Sequence, residues 1–189
     1  KNIIWMPTYR NSKNYHDSQD AIIFSLDDTE FRKVNKLLLE YEYHLYIKLH
    51  PLEESQFKFK NNYSNIHMLS EDIISEHYGT LYKFLGTTSA LITDYSSVFL
   101  DYYLLNRPVA FTINDYEEYK ENRGFVFDDV KSLMAGPTVS NLDDLLAFLN
   151  SVMMSEDEFY VERNEINSIV NSIQRDFTKT LLENVGIEK

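Results

Sequence analysis

Apolar residues along this chain follow two rhythms. Short continuous runs alternate with stretches where apolar positions recur every three or four residues, the spacings of buried strands and amphipathic helices. Ile3-Ile4-Trp5-Met6 is the first run, halted by Pro7, which has no N–H for a ladder. Tyr9 to Asp20 is polar and without period, so it reads as an exposed loop. Phe31, Val34, Leu37, Leu38 and Tyr41 form a helical stripe, with Thr29 or Asp28 at its cap. His44 to Leu49 reads as a second strand stopped by His50-Pro51, and Ile66 to Leu69 as a short third one. Thr80 to Leu85 reads as one or two helical turns ending near Gly86.

Ala90-Leu91-Ile92-Thr93 is apolar enough for a strand buried on both faces of a parallel sheet. Asp94-Tyr95-Ser96-Ser97 interrupts it, and Val98 to Leu105 resumes with helical spacing until Asn106-Arg107-Pro108. Val109 to Ile113 is another apolar run. Asp115 to Glu121 reads as a short polar helix, with a solvated face extending to Arg123. Gly124 to Phe127 and Gly136-Pro137 read as loops, and Leu142 to Leu149 as a helix capped by Asn141. Ile166, Ile169, Val170, Ile173, Phe177 and Leu181 predict one long terminal helix. No repeat or linker divides residues 1–189. The alternation of strand and helix predicts an α/β fold, a single Rossmann-like parallel sheet with helices on both faces.

Composition narrows the function. The formal net charge is −12, which argues against a nucleic-acid partner, whose binding face is basic. The absence of Cys excludes disulfides, thiolate metal sites and Cys nucleophiles. No apolar run nears the roughly 20 residues that span a bilayer, so the chain is expected to be soluble. Residues 1–20 hold no signal-peptide core. Because the chain opens on Lys1 and enters a strand at once, it is expected to be a piece of a longer protein.

In open parallel sheets, ligands bind beyond the carboxyl ends of the strands. Three polar clusters stand there: Pro7-Thr8-Tyr9-Arg10, His50-Pro51, and Thr93-Asp94-Tyr95-Ser96-Ser97. A strand that runs through two serines into a helix offers hydroxyls and unpaired N–H groups to an anion. Equally, Ser96 or Asp94 can cap its own helix. Asp101 lies on the same helical face as the serines and can bind a ligand hydroxyl or remain solvated. His50 can donate, carry a proton or pair with phosphate, or serve structure alone. Lys48 leaves the strand on the same side as His50, making an electropositive spot. Arg10 offers a fork suited to phosphate, or a loop ion pair with Asp17 or Asp20. Asp27-Asp28 and Asp128-Asp129 read as solvated acids rather than metal ligands. No Gly-x-Gly-x-x-Gly, Walker loop, His-Glu-x-x-His or Gly-x-Ser-x-Gly is found.

Pro7-Thr8-Tyr9-Arg10, Lys48-Leu49-His50-Pro51, Leu91-Ile92-Thr93-Asp94-Tyr95-Ser96-Ser97-Val98, Asp101-Tyr102, Arg107-Pro108 and Arg123-Gly124-Phe125 resemble, in order and spacing, the CDP-glycerol glycerophosphotransferases. Ser89-Ala90 departs from the Ser-Asp common in that family, and Tyr9 from its Phe or Trp. The resemblance implies the C-terminal, donor-nucleotide half of a GT-B architecture, two Rossmann-like domains with the active site between them. It implies transfer of glycerol phosphate from CDP-glycerol, or a related CDP-alditol, to a hydroxyl of a teichoic-acid-like polymer, with CMP leaving. It implies His50 as the catalytic residue, and Thr8, Arg10, Lys48, Thr93, Asp94, Ser96, Ser97, Asp101, Arg123 and Gly124 at the donor. No metal or other cofactor is implied. It implies that the acceptor side, a second catalytic His and the contact with a lipid-linked polymer belong to an N-terminal domain outside this chain. The whole enzyme is therefore expected at the cytoplasmic face of the membrane, and this chain to catalyse little alone. An oligomer is compatible with this reading.

Two other readings compete. A GT-B glycosyltransferase using a sugar nucleotide for capsule or wall polysaccharide needs a similar crevice. A receiver-like binding module needs an acidic cluster at the first strand's end, and Pro7-Thr8-Tyr9-Arg10 has none.

Overall fold

A computed structural model describes residues 1–8, 26–50, 59, 61–173 and 176–186. Five parallel strands, β1 (Asn2–Met6), β2 (His44–Ile47), β3 (Ile66–Met68), β4 (Thr88–Thr93) and β5 (Val109–Phe111), form a sheet of order β3-β2-β1-β4-β5. The helices are α1 (Asp28–Glu40), α2 (Glu71–His77), α3 (Leu81–Leu85), α4 (Val98–Tyr102), α5 (Tyr116–Asn122), α6 (Leu142–Met154), α7 (Tyr160–Val170) and α8 (Phe177–Asn184).

The pleat divides the core in two. Ile3 and Trp5, Leu45 and Ile47, Ala90 and Ile92, and Ala110 face Phe31, Val34 and Leu38 of α1 and Leu145, Phe148 and Leu149 of α6. Ile4, Leu91, Val109 and Phe111 point the other way, toward Ile74, Phe84, Phe99, Tyr102 and Ile166 of α2, α3, α4 and α7. Both faces of the central strands are thus covered, which explains their continuous apolar runs. The predicted α/β sheet with helices on both faces is the observed one.

Several local expectations are corrected. Neither Thr29 nor Asp28 caps α1. Asp27 does, accepting from the Glu30 N–H at 2.8 Å while Glu30 accepts from the Asp27 N–H at 2.9 Å. The spacing of a cap acid and an acid three residues later makes this reciprocal box. Asp28 instead accepts from Tyr63 at 2.6 Å and Arg32 at 2.8 Å, which hold its carboxyl down at about 2. Helix α2 was not foreseen, because only Ile73 and Ile74 are apolar in it. Ser70 starts it by accepting from the Ile73 N–H.

The single terminal helix is two. Asn171 ends α7 by donating its side-chain amide to the Leu100 carbonyl at 2.7 Å and to Asn167 at 2.9 Å. Asp176, at φ 55°, starts α8 from a left-handed conformation. A tertiary bond therefore overrides the apolar period. The predicted loop Tyr9 to Asp20 lies outside the described residues.

Candidate active site

Because β2, β1 and β4 are neighbours, the segments that follow them emerge side by side. They line one open cleft of about 630 Å³. Pro7 and Thr8 come from β1, Leu49 and His50 with Lys48 from β2, and Tyr95, Ser96 and Ser97 from β4. Glu71 of α2, Leu81 of α3 and Arg123 after α5 complete the wall. Of the residues expected at the donor, Thr8, Lys48, Ser96, Ser97 and Arg123 therefore share one space with the expected catalytic residue, His50.

The remaining candidates have other places. Thr93 is buried under the cleft, its hydroxyl donating to the Met6 carbonyl at 2.7 Å. Asp94 is also fully buried. It accepts from the Thr8 N–H at 2.8 Å, from the Thr8 hydroxyl, and from the Ser96 N–H at 3.2 Å. Its carboxylate therefore ties the turn after β1 to the turn after β4, and the expected donor contact becomes support from below. Asp101 stands one helical turn beyond the serines and accepts from the Tyr82 hydroxyl at 2.8 Å. That bond, with partial burial, raises the Tyr82 hydroxyl above its ordinary value. Gly124 shapes a turn, its φ of 69° lying in the left-handed region that favours glycine. Arg10 lies outside the described residues.

The serine turn keeps donors in reserve. Ser97 occupies the cap position of α4, yet its side chain makes no capping bond. The cap-like role falls to Asp94, through the Ser96 N–H. Among the described residues, no carbonyl accepts from the backbone amides of Ser97 and Val98. Two amides and two hydroxyls at the head of a helical turn match the oxygens of a phosphate.

Lys48 carries the cleft's least exposed charge. Its side chain is 7% exposed, and its ammonium lies 2.6 Å from the Glu71 carboxylate, which is 62% exposed. A buried ammonium needs an anionic partner, and here a solvent-facing carboxylate supplies it. Sequence reading missed Glu71, since the pair spans 23 residues and two elements. An arriving phosphate can take over the ammonium while Glu71 turns to water. His50 is exposed at the end of the same segment.

A family model described as CDP-Glycerol:Poly(glycerophosphate) glycerophosphotransferase matches residues 1–176. The chain belongs to this family. Among the proteins this chain is similar to is the teichoic acid ribitol-phosphate primase of Bacillus spizizenii strain W23, 28% identical over 154 residues, covering 80% of this chain and 35% of the primase. The teichoic acid glycerol-phosphate primase of Bacillus subtilis strain 168 is 30% identical over 148 residues, covering 77% of this chain and 34% of that protein. This chain thus spans about a third of the length of these curated relatives. The solved wall teichoic acid polymerase TagF superposes with a TM-score of 0.61 at 22% identity, over 97% of this chain and 44% of TagF. The shared fold is the Rossmann-like α/β half of a GT-B architecture.

Proposed function

We propose that the cleft beyond β1, β2 and β4 holds the diphosphate of CDP-glycerol or a related CDP-alditol, and that residues 1–189 are the donor-binding domain of a larger transferase. The whole enzyme moves glycerol phosphate to a hydroxyl of a teichoic-acid-like polymer and releases CMP. The observation that carries this reading is the convergence of Lys48, His50, Arg123 and the Ser96-Ser97 turn in one cleft of a glycerophosphotransferase-family chain. A TagF structure obtained after soaking with CDPG supports the donor class.

In the proposed reaction, the acceptor oxygen attacks the phosphorus that bears glycerol. The P–O bond to CMP breaks and its electron pair leaves with the CMP phosphate. Negative charge grows on both phosphates, so fixed cations and amides that await it lower the barrier. The Ser97 and Val98 amides and the serine hydroxyls hold phosphate oxygens. Lys48 and Arg123 neutralise charge, and His50 hydrogen-bonds or protonates the leaving phosphate. The acceptor's proton passes to a base in the remainder of the enzyme. The reading assigns contact with a lipid-linked acceptor, at the cytoplasmic face of the membrane, to that remainder; among the described residues of this chain no helix is long and apolar enough to cross a membrane.

The test is turnover and donor affinity in the whole enzyme. His50→Ala is expected to lower turnover about 10²-fold or more while donor affinity stays within a few-fold. Unchanged turnover would remove His50 from the mechanism. Titration of the chain with CDP-glycerol, CDP-ribitol and UDP-sugars identifies the donor, and a preference for a UDP-sugar would overturn the phosphotransfer reading.

A further inference from the structure

Behind Tyr95 and Arg123, which line the cleft, three rings form a stack. Tyr116 lies parallel to Phe125, with centroids 5.1 Å apart at 22°. Phe125 lies parallel to Tyr119, 5.4 Å apart at 17°. A cation covers each end: the Lys131 ammonium sits 3.6 Å from the Tyr116 ring and the Arg123 guanidinium 5.8 Å from the Tyr119 ring. The electron-rich ring face attracts a cation set over it.

Local sequence builds this stack. Tyr119 and Arg123 are four apart at the end of α5, so they share a helical face. The Gly124 amide donates to the Tyr119 and Lys120 carbonyls at 3.2 and 3.1 Å. The left-handed turn at Gly124 then returns the chain so that Phe125 packs on the ring of Tyr119. Tyr119 also reaches across to the serine turn, its ring 4.3 Å from that of Tyr95. Tyr95 is fixed in turn by donating its hydroxyl to Asp115 at 3.0 Å.

Tyr119 thus touches Arg123, the residue preceding Ser96, and the ring behind both. The geometry points to Tyr119 as a positioning residue that fixes the Arg123 guanidinium against the Ser96-Ser97 turn, so that both grip one phosphate of the donor. This role rests on the donor reading above. An exposed arginine otherwise samples many rotamers, and ordering it on binding costs affinity. The stack supplies that order beforehand.

The full 189-residue chain, titrated with CDP-glycerol at low and high salt, tests the role. Tyr119→Ala is expected to weaken binding about three- to tenfold and to flatten its salt dependence. Tyr119→Phe keeps the ring and is expected to bind like the unaltered chain. Tyr119→Leu keeps bulk without a ring face, and should repeat the alanine result even if alanine disturbs the fold. In an Arg123→Gln background, Tyr119→Leu should add less than a twofold loss. Unaffected binding by Tyr119→Leu, or the same loss with and without Arg123, overturns the role. Failure of the unaltered chain to bind CDP-glycerol overturns the donor reading itself, and this role with it.

Discussion

The two ends of the parallel sheet handle buried charge in opposite ways. At the amino-terminal end, a cavity of about 280 Å³ lies beside the start of β5, lined by Pro108, Phe148, Phe159 and Arg163 among others. Arg163 is fully buried, and its guanidinium is matched by Asp157 through two hydrogen bonds and by Asn106 at 3.1 Å. Nearby Arg107 donates to the Gly86 carbonyl at 2.9 Å and to the Thr88 carbonyl. Donors and acceptors there are matched, and the result is a fastening of α7 and the strand starts. At the carboxyl-terminal end, Lys48 is held by one solvent-facing acid and two backbone amides await an acceptor. Cavity alone does not separate a site from a fastening. Uncommitted hydrogen-bonding capacity does.

That contrast breaks most visibly at Arg163. Arg163→Met removes the buried member of the pair and leaves the partly exposed Asp157 without its match, which costs about 3 kcal/mol. Chemical denaturation should show this loss while the folded protein keeps its donor affinity. A drop in affinity comparable to the drop in stability would mean that the two ends are coupled.

Asp94 sits where the contrast blurs, being fully buried yet directly beneath the cleft. Asp94→Asn removes the charge from three hydrogen bonds and turns its amide donor toward one N–H group, that of Thr8 or that of Ser96. A loss of about 2 kcal/mol in stability is expected. Here donor affinity should fall as well, because Thr8 and Ser96 lose their common anchor. Full affinity in a destabilised Asp94→Asn would restrict Asp94 to folding alone.

The smallest effect is in pH dependence away from the cleft. His67 and His44 are hydrogen-bonded at 3.0 Å between β3 and the start of β2. Burial, and then His44, hold the His67 imidazole below its ordinary value of 6.5. The unfolded chain therefore binds this proton more tightly than the folded one. The contribution is fully present above pH 6.5 and fades as pH falls through the window beneath it. His67→Asn should flatten that decline in melting temperature, and an unaltered slope would assign it to other groups.

What was legible in the sequence was whatever repeats locally. The strands are named by their runs, since Ile3 and Ile4 each find a core on opposite faces. Asn141 caps its helix as its side chain and position suggest. The strand-end clusters were legible because parallel topology sends them to one edge. Direction was not: Asp94 turns inward and Ser97 outward, although the two are three residues apart. Partners distant in sequence were also hidden, as with Glu71 for Lys48, Leu100 for Asn171 and Tyr95 for Tyr119. No period or spacing records such pairs, and they decide where α7 stops and how the cleft is walled.

The most direct measurement is a crystal of the chain soaked with CDP-glycerol. The diphosphate is expected against the Ser97 and Val98 amides, with Lys48 released from Glu71 and His50 within hydrogen-bonding reach. Density for the diphosphate in the Pro108–Arg163 cavity, or an empty cleft beside a Lys48–Glu71 pair still intact at saturating donor, would contradict the account.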